Sequence, residues 1–207
     1  MLLEAERHLV ARYGARMWRE GLVTGTYGNI SVCTGGRIAI TPTDMRYGGM
    51  KPADVCVVDL AGTQMDGGAR PSSELRMHVL LHGREGDGAI VHTHSHYATA
   101  LGCVVDEIPA LHYAVAEFGG PIPTVPYEPA GSADLAERVH AALADRAGVL
   151  LQSHGAVTIG ASLRQAYARA VTLEWVARIY HHARMIGEPR RLEEARFAQL
   201  PRRSATP

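Results

Sequence analysis

Apolar positions along this chain switch between two periods, and the switches mark its elements. Residues 2–20 repeat apolar side chains at helical spacing and end at Gly21, a position suited to close a helix. Ile30 and Val32, then Ile38 and Ile40, alternate with small or polar residues on either side of Thr34-Gly35-Gly36, which predicts a β-hairpin. Residues 54–60 (DVCVVDL) read as a further strand. Pro71-Ser72-Ser73 is expected to open a helix to about Arg84, with a serine as its cap. GAIVHTH (88–94) returns to strand character, and Ser95 to Cys103 to helical spacing.

In the second half, Gly131-Ser132 precedes an amphipathic helix through Leu135, Val139 and Leu143. Two short strands, 149–153 and 156–159, flank His154-Gly155. Ser162 and Gln165 form a capping-box pair at the head of the longest helix, which runs to Ile186 before Gly187 and Pro189. Strands and helices interleave, yet the hairpin demands antiparallel pairing, so an α/β sandwich is expected rather than a doubly wound sheet. One domain over residues 1–187 is expected, followed by a flexible tail, 188–207, with little to bury.

Composition narrows the function classes. Apolar residues make up 46%, and Lys+Arg equals Asp+Glu at 21 each. Bulk charge therefore gives no reason to expect nucleic-acid or membrane-surface binding. The charged N-terminal stretch lacks a run of leader or membrane-span length. Cys33, Cys56 and Cys103 are odd in number and lack CxxC spacing, and two of them sit inside apolar, strand-like runs, so buried thiols in a reducing cytosol are expected. The eleven histidines are the unusual feature, with a dense run from His78 to His112.

Within that run, His92 and His94 stand at i and i+2 of a strand, which sends both imidazoles to one face. An isolated H-x-H is more often two hydrogen-bonded histidines than a metal site. His154 at the end of a second apolar strand and Glu74 behind two serines change that balance. Three imidazoles with a carboxylate nearby make a set that holds a divalent ion and leaves a position open for substrate oxygens. His96 need not converge with the pair. His78, His82 and His140 are expected to be structural or solvated, and His181-His182 a polar helix face.

Three segments could cradle an anion: the glycine-rich Thr24–Asn29 loop, Thr41-Pro42-Thr43, and Ser72-Ser73 ahead of a helix. Neither a GxxxxGK[ST] nor a GxGxxG pattern occurs, so nucleotide binding has no support.

Taken in order, GTYGNIS, ITPT, PSSE, VHTHS, HY and QSHG closely resemble the class II aldolase/adducin family from about residue 5 to residue 186. The resemblance implies an α/β/α sandwich with a central, largely antiparallel sheet, and a homotetramer with active sites between subunits. It implies one Zn2+ per subunit on His92, His94 and His154, with Glu74 as catalytic acid/base. Gly28, Asn29, Thr43, Ser72 and Ser73 would line a phosphate pocket. Tyr113 would reach a neighbouring subunit's site and handle the proton on the departing aldehyde oxygen. The reaction implied is cleavage or formation of a C–C bond in a small ketose phosphate through a metal-stabilised enediolate.

Other reactions use the same platform: epimerisation, decarboxylation or dehydration of a sugar phosphate or sugar-acid phosphate. Glu74 counts against the epimerase branch, which typically has aspartate there. An adducin-like interaction module has typically lost the metal histidines, and all three are present here. Two departures bear on the substrate. Asp44 stands where the family commonly has glycine; three readings stand open, a charge neutralised by Arg46, an outward turn that caps the local chain, and a contact to a sugar hydroxyl. No tyrosine follows Tyr180, whereas the family tail carries one.

Overall fold

The computed structural model describes residues 1–193. The elements follow in the order α1 (Glu4–Arg19), β1 (Asn29–Thr34), β2 (Arg37–Ile40), β3 (Cys56–Asp59) and β4 (Gln64–Asp66). Next come α2 (Leu75–Glu85), β5 (Gly88–Thr93), α3 (His96–Gly102), β6 (Glu107–Ile108) and β7 (Ile122–Val125). The chain then continues through α4 (Ala133–Ala142), β8 (Gly148–Leu151), β9 (Gly155–Gly160) and α5 (Leu163–Ile186). The strands form one sheet in the order β4-β3-β2-β1-β5-β9-β8-β7-β6. Its pairings are antiparallel except β7 with β8.

Alternation along the central strands makes the sandwich. Ile30, Val32, Ala89 and Val91 face α1 and the first half of α5. Leu150 and Ala156 meet α3 and the second half of α5 on that same side. The opposite faces, Ile38, Ile40 and Val58, then Ile90, Val149, Val157 and Ile159, are covered by α2 and α4. Each fully buried aliphatic side chain contributes about 1.5–3 kcal/mol. With helices on both sides, both alternations along a strand are apolar, so a polar side chain on β5 is conspicuous.

The expected hairpin forms, with Ser31 opposite Ile40; Thr34 pairs with Arg37, so the turn is Gly35-Gly36 alone rather than Thr34-Gly35-Gly36. Gly35 and Gly36 both take positive φ, as a two-residue turn between right-twisted strands requires. The opening of α2 differs from expectation. The Ser72 hydroxyl accepts from the Glu74 N–H at 3.2 Å, a tight local turn, and the helix begins only at Leu75. Ser132 and Ser162 do cap α4 and α5, accepting from the N–H groups of Leu135 and Gln165. The Gln165 side chain reaches the Ala161 N–H, one residue outside the usual box. β4, β6 and β7 were not expected; they are two to four residues long and lie at the sheet margins.

At the start of the tail, Leu192 donates its N–H to the Ala110 carbonyl at 2.7 Å, and Arg191 pairs with Glu107 at 3.2 Å. The rest of the expected flexible tail, 194–207, lies outside the described residues.

Candidate metal centre and active site

The centre of the sheet positions the candidate ligands. Because Ile90 points to the α2/α4 side, so does His92, and it is fully buried. Its Nδ1 lies 3.0 Å from the Ala156 carbonyl on β9, which orients Nε2 into the site. His94 continues beyond the strand end, its N–H held by the Leu22 carbonyl at 3.1 Å. Its ring stacks on Tyr27 at 5.2 Å between centroids, a contact that sequence reasoning missed. His154 sits in the tight turn between β8 and β9, where Ser153 takes φ 53° and the His154 N–H bonds the Leu151 carbonyl.

The three rings meet edge to face, with centroids 4.7, 4.9 and 4.9 Å apart. His94 Nε2 is 2.9 Å from His92 Nε2. Glu74, at the head of α2, places Oε2 3.0 Å from His92 Nε2 and Oε1 3.5 Å from His154 Nε2. One ligand atom from each of the four residues lies within 4.8 Å of the others.

Burial by itself would raise the Glu74 carboxyl, but the positive His92 beside it wins and holds the group well below the usual carboxylate range. His92 is correspondingly raised, since the attraction and hydrogen bond of Glu74 outweigh burial. Burial pushes His94 down to about 3 and His154 to about 4, helped in both by the charge of His92. Glu74 thus favours a proton on His92, beside two imidazoles that burial keeps neutral.

A divalent ion fits this donor set. The imidazole nitrogens converge, and Glu74 Oε1 is buried without a hydrogen bond, an acceptor with no donor of its own. His92, His94 and His154 would hold the ion, with Glu74 at its side.

Above the cluster opens a cavity of about 340 Å³, with His94, His154 and Glu74 at its base. All five expected phosphate-pocket residues, Gly28, Asn29, Thr43, Ser72 and Ser73, lie in its lining, together with Tyr27 and Ala130. Asn29 is already committed on both sides of its carboxamide, to Glu74 and to His78. Gly131 takes φ +77°, and a Cβ there would meet the Ser73 carbonyl at 2.6 Å, so this glycine lets the Ala130 turn close over the serines.

Asp44 also lines the cavity, exposed and at φ 57°. A left-handed backbone is what glycine adopts freely and aspartate tolerates, which accounts for the exchange between the two. Its nearest cationic partner is Arg70, at 3.9 Å, rather than Arg46. Tyr113 is not among the lining residues. It stands 65% exposed on a 3-10 turn, beside His112.

The sequence pattern described as the Class II Aldolase and Adducin N-terminal domain matches residues 8–181. The chain is 37% identical to a 5-deoxy-D-ribulose 1-phosphate aldolase of Bacillus thuringiensis, covering 98% of this chain and 97% of that one. It is also 37% identical to a 5-methylthioribulose-1-phosphate/5-deoxyribulose-1-phosphate aldolase of Rhodospirillum rubrum, over 89% of this chain and 84% of the other. The solved structure of an L-fuculose 1-phosphate aldolase superposes with a TM-score of 0.91 at 32% identity, covering 95% and 94% of the two chains. With this sheet, this cluster and these relatives, the chain belongs to the class II aldolase and adducin family, as an enzyme of the lyase type.

Proposed function

We propose that the protein is a zinc-dependent aldolase that cleaves or forms the C3–C4 bond of a small ketose 1-phosphate. Relatives named as 5-deoxyribulose 1-phosphate aldolases favour a 5-deoxypentulose as the sugar. The observation that carries the reading is Glu74, an ionised, buried carboxylate whose Oε1 has no hydrogen bond, at the base of a cavity rimmed by Thr43, Ser72 and Ser73.

A bound divalent ion would supply a Lewis acid that stabilises negative charge on the substrate's carbonyl oxygen. Thr43, Ser72, Ser73 and nearby backbone N–H groups bind the phosphate, giving binding energy remote from the reacting bond. When C3–C4 breaks, its electron pair passes towards the carbonyl, and C3 must then gain a proton. In bond formation the ionised Glu74 takes that proton from C3 through Oε1. In cleavage Glu74 must first gain a proton from solvent and then delivers it to C3, balancing the proton that leaves the C4 hydroxyl. Tyr113 of a neighbouring subunit handles the proton on the C4 oxygen as the aldehyde leaves or enters. That role requires an oligomer, for which we propose a homotetramer with intersubunit sites. None of the described helices is long and apolar enough to cross a membrane. The location that belongs to this proposal is the cytoplasm, where sugar phosphates are metabolised.

Incubating the zinc-loaded protein with 5-deoxyribulose, ribulose and fuculose 1-phosphates tests the reading. Dihydroxyacetone phosphate and an aldehyde in equal amounts are expected. A single rearranged product would instead assign epimerase chemistry to the same residues.

A further inference from the structure

A buried polar string leads away from Glu74 between β1 and α2. Glu74 Oε2 accepts from Asn29 Nδ2 at 2.9 Å, and Asn29 Oδ1 is paired with His78 Nε2. His78 Nδ1 lies 2.6 Å from Ser31 Oγ, which in turn lies 2.8 Å from His82 Nε2. Asn29, Ser31, His78 and His82 are all at most 4% exposed. Asn29 and Ser31 share one face of β1, and His78 and His82 share one face of α2, so strand and helix periods bring the two pairs together.

Accounting for the hydrogens leaves one arrangement. A carboxylate only accepts, so the Asn29 amide nitrogen faces Glu74. The Asn29 oxygen also only accepts, so His78 Nε2 carries a hydrogen. Burial keeps His78 neutral, pushed down to about 3, and its Nδ1 is therefore a lone pair that takes the Ser31 hydrogen. The serine oxygen is then left to accept from His82 Nε2–H, on a ring that burial also pushes down, to about 4. Each donor in the string points towards Glu74, and dipoles aligned in this way polarise one another.

We propose that Ser31 and His78, backed by His82, are positioning residues that lock the Asn29 carboxamide and through it the Glu74 carboxylate, aiming Oε1 at the substrate carbon. The inference rests on Glu74 being the acid/base of the proposed aldolase. The string is not a proton exit, because the Asn29 amide has no labile proton to pass on at neutral pH. It acts on orientation.

Two measurements test it, both on the zinc-loaded protein. Long-range 1H–15N spectra of the imidazole rings should show the Nε2–H tautomer at His78 and at His82. An Nδ1–H tautomer at His78 overturns the string, whatever the activity. Ser31→Ala should keep full zinc content and nearly unchanged KM while kcat falls about 10–100-fold, and Ser31→Thr should recover most of the rate. An unchanged kcat in Ser31→Ala, or a loss confined to KM, overturns the positioning role. Should Ser31→Thr fail to fold, the tautomers and Ser31→Ala still decide. A wild-type protein that cleaves no ketose phosphate refutes the aldolase reading instead, and the tautomers still decide whether the string exists.

Discussion

A Cβ built on Gly155 would lie 2.1 Å from the carbonyl oxygen of Thr93, so β9 approaches β5 at a distance that only glycine permits. The same Cβ would stand 3.3 Å from Cε1 of His92. Gly155→Ala should therefore push the two strands apart where His92, His94 and His154 meet. We expect a loss of about 3 kcal/mol or more in urea unfolding and zinc content well below one per chain. A protein with normal stability and full zinc would show that the turn can move aside.

Metal uptake should release a proton. Glu74 raises His92, so in protein stripped of metal this ring holds a proton to higher pH than a free imidazole, and an incoming ion competes with that proton. Affinity should therefore fall as pH falls. Calorimetry in buffers of different ionisation enthalpy should show proton release on binding that grows as pH falls. Alanine at His92, His94 or His154 should abolish activity and lower zinc content by elemental analysis.

Glu74→Gln should keep the fold and the zinc yet lose about 10²–10⁴-fold in kcat, since an amide neither takes nor returns a proton. Near-normal turnover would move the acid/base role to another residue.

Acid should weaken the metal-stripped protein through its buried histidines. His78, His82, His94 and His154 have folded pKa values depressed to about 3, 4, 3 and 4. Between the ordinary value near 6.5 and those depressed values, the unfolded chain binds more protons than the folded one. Stability is then present above pH 6.5 and lost as pH falls, with each group contributing a slope of up to about 1.4 kcal/mol per pH unit. His92, being raised, works in the opposite sense. His78→Gln should flatten the acid limb of a urea-midpoint titration. An unchanged slope would mean that His78 titrates normally.

Tyr113 provides the test of intersubunit sites. Tyr113→Phe and Glu74→Gln proteins, each nearly inactive, should regain activity when their subunits exchange, because mixed oligomers rebuild some sites with both groups. No recovery after verified exchange would place both residues in one subunit's site.

Much of this was legible in the sequence because periodicity is local. The Ile30/Val32 and Ile38/Ile40 alternation marked the hairpin, though not the pairing of Thr34 with Arg37, and the spacing of His92 and His94 marked their common face. Short marginal strands were not legible: β6 has two residues, and β7 carries Pro123. The expected serine cap of α2 failed because the Ser72 hydroxyl closes on Glu74, a choice that local composition does not distinguish. His78 and His82 gave no functional signal, since their partners lie 47 to 51 residues away across the β1/α2 packing. The Tyr27–His94 stack was hidden in the same way.

β5 lies between β1 and β9, so it joins the two halves of the sheet, and the four converging side chains come from both sides of that seam. Glu74 arrives with the N-terminal half and His154 with the C-terminal half, so the cluster exists only after the halves have docked. An ion captured there acts as a clasp that closes last. If zinc binds the finished molecule and not the loose chain, each tenfold rise of free zinc above its dissociation constant would add about 1.4 kcal/mol to the whole fold. A catalytic ion held there would thereby double as a checkpoint on assembly, since a chain with either half misplaced would lack the cluster that holds it.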